Sequence, residues 1–234
     1  MHVVLLSGGS GKRLWPLSND VRAKQFLKIF RKRDGNHESM FQRMCRMLRE
    51  VDNDVSLTVA AAEKQVALIK LQLNDSVDIS VEPCRKDTFP AIALASAYLR
   101  DVKKVEEDEP IVVCPVDPYV DAAYFQKLKV LASQAEKEEN NLVLMGIEPT
   151  SPSSKYGYII PKDKNAVSEV SFFKEKPDTE AAERYIQQGA LWNSGVFAFK
   201  LGYLLKIAKT LLETSKYRIY SVEKFSSISS CIIE

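Results

Sequence analysis

Residues 2–13 read "HVVLLSGGSGKR". Val3, Val4, Leu5 and Leu6 run together without a polar interruption, then Ser7 leads into Gly8, Gly9 and Gly11 and the cations Lys12 and Arg13. An apolar run without alternation suits a strand that is buried on both faces, as in a parallel sheet. Glycines after such a strand let the backbone approach a ligand closely and present N–H groups to phosphate oxygens. Lys12 and Arg13 add charge, and arginine can grip a phosphate with two hydrogen bonds. A solvated strand-to-loop turn is the alternative reading of the same residues. The stretch is not a GxxxxGK phosphate loop, because Leu6 stands at the first glycine position and Arg13 follows Lys12. Nor is it the dinucleotide fingerprint, because Leu14 fills the last glycine position.

Outward from this strand, short apolar runs alternate with amphipathic segments. Strands are expected at 2–7, 55–61, 77–83, 110–117 and 141–147, and helices at 39–51, 63–73, 87–102 and about 121–138. Asp87 or Thr88 can cap the third helix, and Pro90 fits only because it falls in the first turn. This alternation predicts an α/β fold, a mostly parallel twisted sheet with helices on both faces. Ligands in such folds sit at the carboxyl ends of the strands. Past residue 148 the texture changes to a proline-, serine- and tyrosine-rich loop entering a hairpin. A strand at 167–177, a helix at 178–189 closed by Gly189 and a strand at 191–200 follow. The chain reads as one domain, 1–234, with a nucleotide half over 1–147 and a second-substrate half over 148–234. The acidic run 106–109 reads as a solvated helix end.

The composition excludes several classes of function. A net charge of +2 over 234 residues offers no bulk polycation for nucleic acid. Two histidines and four scattered cysteines, with no CxxC pair, argue against a histidine-based metal site and for reduced, mostly buried thiols. No apolar run approaches the roughly 20 residues of a membrane span, and no secretory leader is visible, so a cytoplasmic protein is expected.

Several later residues carry chemistry. Asp117 follows a buried strand between Pro115 and Pro118. A carboxylate there can hold Mg²⁺ on a triphosphate, or it can cap the helix near 121. Glu175 and Lys176 are adjacent at a strand end, either as ligands for a polar substrate or as an exposed ion pair. Asn193 and Gly195 offer a polar contact and room for a ligand, or a simple turn. Trp192, Phe197 and Phe199 are assigned to the core. The cluster Arg22, Lys24, Lys28, Arg31, Lys32 and Arg33 is assigned to solvated surface, Lys24 excepted.

The stretch "LSGGSGKRLWPLS" (6–18) resembles the signature of the sugar-1-phosphate nucleotidyltransferases and is most similar to the mannose-1-phosphate guanylyltransferases, the GDP-mannose pyrophosphorylases. "RAKQF" (22–26) is similar to the segment that follows, with Ala23 where the family has proline. "VEPCRKDTFPAIALA" (81–95), "VVCPVDPYVD" (112–121), "FKEKP" (173–177) and "WNSGVFAF" (192–199) match further family motifs in order. The resemblance implies a Rossmann-like fold of the nucleotide-diphospho-sugar transferase type. It implies transfer of a guanylyl group from GTP to mannose 1-phosphate, with Mg²⁺ as cofactor. Arg13 and Lys24 would be catalytic. Leu6, Gly8, Gly9, Ser10, Gly11, Lys12, Glu82 and Pro83 would hold the nucleotide. Gly146, Tyr156, Gly157, Glu175, Lys176, Asn193 and Gly195 would hold the sugar phosphate, and Asp117 the metal. The expected partners are these small molecules, with a homodimer left open, and neither nucleic acid nor membrane. Another sugar or base, or a weakened nucleotide-binding homologue, are the alternatives. No Asp occurs after Asp178, and an ungapped count from the end places Ser229 where the family carries a second metal-binding aspartate. Either the chain is a truncated piece or its metal binding is weakened.

Overall fold

A computed structural model describes residues 1–8, 17–18, 23–84 and 86–212. It contains strands β1 (His2–Leu6), β2 (Lys28–Arg31), β3 (His37–Ser39), β4 (Ser56–Ala62), β5 (Asp78–Glu82), β6 (Pro110–Pro115), β7 (Val143–Ile147), β8 (Tyr158–Pro161), β9 (Val170–Lys174) and β10 (Leu191–Lys200). The helices are α1 (Met40–Val51), α2 (Val66–Leu73), α3 (Thr88–Asp101), α4 (Ala122–Ala135), α5 (Thr179–Gln187) and α6 (Leu201–Leu212). The chain forms two compact units, one built from Met1–Val143 and the residues from Ala198 onward, the other from Leu144–Phe197.

In the first unit the strand order is β5-β4-β1-β6. β1 pairs in parallel with both β4 and β6, and β4 pairs in parallel with β5. Val3, Val4 and Leu5 are all buried, as are Ile111, Val112, Val113 and Cys114 of β6. Successive strand residues point to opposite faces, so consecutive burial means that both faces are covered. α3 packs on β1, β4, β5 and α6, while α4 packs on β6 and α1. The α/β fold expected from the sequence is therefore present.

Local sequence explains where the helices begin. α1 starts with a capping box: Ser39 Oγ accepts from the Gln42 amide at 3.1 Å, and Gln42 Oε1 accepts from the Ser39 amide at 3.1 Å. α4 is capped by Asp121, whose carboxylate accepts from the Tyr124 amide at 3.2 Å. α3 corrects the expected cap. Asp87 precedes it but makes no side-chain capping bond, and its φ of 80° lies in the left-handed region. Pro90 does fall in the first turn, as anticipated.

Two elements were not anticipated. β2 and β3 form an antiparallel ribbon of their own, from residues assigned to basic surface. α6 closes the described part of the chain, and its first two amides donate to the Glu109 and Glu107 carbonyls at 3.0 and 2.7 Å. The acidic run 106–109 is exposed as expected, but it is a turn leading into β6, not a helix end.

The second unit contains antiparallel strand pairs. β8 pairs with β10 on one side and with β9 on the other, and β7 pairs with β10. Its core gathers Tyr158, Ile160, Ala182 and Ala190, with Tyr185, Ile186 and Trp192 packed against it. α5 is capped by Asp178, which accepts from the Ala181 amide at 2.7 Å, and Gly189 (φ 86°) ends it. Phe199 is core as expected, but Trp192 and Phe197 are only half-buried.

Candidate functional site

The first group of site residues lies along the carboxyl edge of the parallel sheet. Register places Leu6 opposite both Ala60 and Pro115, and Glu82 opposite Ala62, so β1 and β6 end level and β4 and β5 run two residues further at the same edge. Gly8 follows β1, Pro83 follows β5 and Asp117 follows β6. Neighbouring strands lie about 4.8 Å apart, so the ends of β5 and β6 are separated by about 14 Å, room for an extended nucleotide. Among the described residues nothing lies within 4 Å of where a Gly8 side chain would begin.

Lys24 comes to this edge on the short turn Lys24–Phe26. Its Nζ lies 2.6 Å from Asp117 Oδ2, and the two side chains remain 47% and 41% exposed. Ala23 has φ −67° and ψ 161°, and that φ is the one a proline imposes. Gln25 is buried behind Lys24 and its Nε2 donates to Ser7 Oγ and the Ser7 carbonyl at 3.3 and 3.4 Å. This buried amide ties the end of β1 to the Lys24 turn. The alternative role for Asp117 falls away, because Asp121 caps α4. Close to Asp117 stands Tyr124. Its hydroxyl is buried without a hydrogen-bond partner among the described residues. Burial, with the Cys114 and Asp117 charges behind it, pushes the phenol well above its ordinary pKa.

Gly9, Ser10, Gly11, Lys12 and Arg13 lie outside the described residues, as does Ser229. Among the described residues no cluster of three metal-ligating side chains occurs. Mg²⁺ needs only one or two protein carboxylates when phosphate oxygens complete its shell. Half-exposed Asp117 at the strand end fits that requirement as a single carboxylate.

The second group lies within the second unit. Gly157 and Glu175 meet: a Cβ on Gly157 would stand 2.6 Å from Glu175 Oε2 and 2.6 Å from Phe173 Cζ. The Asn193 amide donates to the Gly157 carbonyl at 2.8 Å, and Asn193 Oδ1 accepts from the Gly195 amide at 3.1 Å. Asn193 and Gly195 belong to β10 itself and not to a turn, and Gly195 takes φ 73° inside the strand. A glycine there marks an irregularity or a close approach. Tyr156 and Trp192 pair with centroids 4.7 Å apart, and the Trp192 Nε1–H is buried without a partner among the described residues. Lys176 Nζ sits 2.9 Å from Glu175 Oε1, on a backbone with φ 42° that is uncommon for a side chain of this size. Gly146 has a packing role: a Cβ would come within 2.5 Å of Leu191 Cδ1.

The comparisons with known proteins bear on both groups. The nucleotidyl transferase family matches residues 2–227. The chain belongs to the nucleotidyl transferase family. The alginate biosynthesis protein AlgA of Pseudomonas putida is 36% identical over 221 residues, covering 89% of this chain and 43% of that protein. A mannose-1-phosphate guanylyltransferase of Escherichia coli is 34% identical over 234 residues, covering 92% of this chain and 46% of its own length. This nucleotidyl transferase thus spans less than half the length of those relatives. A crystal structure from Thermus thermophilus, described as a mannose-1-phosphate geranyltransferase, superimposes with a TM-score of 0.79 at 29% identity. The match covers 98% of this chain and 68% of that one. No helix among the described residues is long and apolar enough to cross a membrane.

Sequence reasoning missed Gln25 as a buried tie, Tyr124 beside Asp117, and the Tyr156–Trp192 pair. The last was the most accessible, since two large aromatics in a serine- and glycine-rich setting are a usable signal.

Proposed function

We propose that this chain transfers the guanylyl group of GTP to mannose 1-phosphate, forming GDP-mannose and pyrophosphate. The alignment of Leu6, Gly8, Lys24, Glu82–Pro83 and Asp117 at the carboxyl edge of one parallel sheet carries the proposal. The choice of guanylyl and mannosyl groups draws on the E. coli relative's name and on the motif resemblance.

In this reading Glu82 and Pro83 lie beside the base, and the backbone from Leu6 to Gly11 holds the triphosphate with Lys12. Arg13 and Lys24 offset charge on the reacting phosphates. Mg²⁺, when bound, neutralises phosphate charge, and Asp117 is its protein carboxylate. Lys24 must leave Asp117 to reach a phosphate, so the resting ion pair exchanges partners when the nucleotide arrives. Gly146, Tyr156, Gly157, Asn193 and Gly195 frame the sugar. Glu175 accepts from its hydroxyls and Lys176 meets its phosphate. That phosphate is already anionic near neutral pH, so attack on the α-phosphorus requires no general base. The protein's contribution is positioning and charge compensation. Free, buried thiols at Cys45 and Cys114 fit a cytoplasmic setting.

Ser229, which an ungapped count places at the family's second metal-binding aspartate, motivates a second reading, a nucleotide-binding homologue that turns over slowly. Pyrophosphate release from GTP with mannose 1-phosphate tests the first reading. Release only with another nucleotide or sugar phosphate corrects the specificity. GTP binding without release from any pair selects the second. Ser229→Asp, assayed across Mg²⁺ concentrations, should lower the metal requirement if that serine stands at the lost ligand.

A further inference from the structure

Tyr119 stands two residues past Asp117 and is 69% exposed, yet three contacts fasten its loop. Phe30 of β2 stacks on its ring, with centroids 5.5 Å apart and planes 18° from parallel. The Arg43 guanidinium of α1 lies 4.8 Å from the ring centroid. Arg43 Nη2 also donates to the Val120 carbonyl at 3.0 Å. Phe30 belongs to the strand that directly follows the Lys24 turn. One packing unit therefore joins the segment that carries Lys24 to the loop that carries Asp117.

We infer that Phe30, Arg43 and Tyr119 form a clamp that fixes the loop carrying Asp117 and so positions its carboxylate for the nucleotide. They are positioning residues and touch no reacting atom. The inference rests on the reading of Asp117 as a nucleotide-site carboxylate. Stability alone explains the clamp poorly, because a ring this exposed removes little apolar surface from water. Aromatic stacking and a cation over the ring act locally and directionally, which suits holding a loop in place. Pro118 contributes by restricting Asp117 itself to extended backbone.

The test compares the wild type with Asp117→Asn, Tyr119→Ala, Tyr119→Phe and the double variant Asp117→Asn/Tyr119→Ala. Hydrogen exchange of the 116–121 amides and calorimetric titration with Mg²⁺·GTP are measured for each. Tyr119→Ala should speed exchange across the loop with little change in melting temperature. It should weaken Mg²⁺·GTP roughly tenfold, the scale of one lost aromatic contact. It should weaken binding no further when Asp117 is already Asn. Tyr119→Phe, which keeps the stacked ring, should behave as wild type. Unchanged loop exchange in Tyr119→Ala, or losses that simply add in the double variant, overturns the clamp. Wild-type Mg²⁺·GTP affinity in Asp117→Asn would instead overturn the role given to Asp117, and loop exchange would still decide whether the clamp exists.

Discussion

Lys24 and Asp117 neutralise each other while staying roughly half exposed. An ion pair in that position adds little to stability, so its two members are free to serve a ligand. Lys24→Ala should therefore leave the melting temperature near that of the wild type. Under the proposed function it should lower turnover by about 10²–10³, the typical loss for one preorganised donor to developing charge. Steady-state assays beside a thermal melt check both halves of this expectation. In the second unit, Gly157→Ala would push a methyl against Glu175 and Phe173. Under the proposed function it should weaken mannose 1-phosphate in calorimetry and leave GTP affinity unchanged, and so should Lys176→Ala. Asp117 was legible in the sequence as a carboxylate just past a buried strand, and it does stand just after β6. Tyr119 was not, because its importance comes from Phe30 and Arg43, far away in the chain, and no local pattern records that meeting.

Element boundaries followed the apolar periodicity closely, since burial on two faces forces consecutive apolar residues in β1, β4 and β6. The β2–β3 ribbon escaped because cations dominate "KIFRKRDGNHES". Its signal was Asp34–Gly35, and Gly35 indeed takes φ 86° between the two strands. Asp87 failed as a cap for a backbone reason, as its own φ turns the side chain away from the usual capping geometry. Two predictions belong at this scale. Ser39→Ala removes the α1 capping box and should lower stability by about 1 kcal/mol in denaturant titration. Ala23→Pro places a proline on backbone already shaped for it. It should raise stability by about 0.4–1 kcal/mol by restricting the unfolded chain. A fall in stability would show that the buried Ala23 site cannot take the ring.

Across the whole molecule, His2, Cys45 and Cys114 each add a pH dependence to stability. Burial lowers the His2 pKa from 6.5, with the nearby amino terminus adding to the effect. The unfolded chain then takes up a proton that the folded one resists, and stability falls as pH drops below about 6.5. Burial pushes the Cys45 and Cys114 thiols from 9.0 up to about 12. There the unfolded chain releases protons first, so stability falls as pH rises from about 9. Equilibrium unfolding across pH should show a plateau between these limits, and His2→Gln should flatten the acid limb. Cys84, half-exposed, should react with an alkylating reagent well before Cys45 or Cys114.

The two-unit division has a further consequence. The chain enters the second unit once, after Val143, and leaves it once, before Ala198. The two ends of that stretch run side by side, because β7 pairs with β10. Genetically, such a segment is a cassette. It can be exchanged between homologues by two cuts in the coding sequence. Under the proposed function, chimeras cut at 143 and 198 exchange the sugar-phosphate side and keep the nucleotide side, and a changed sugar-phosphate preference is the outcome to measure.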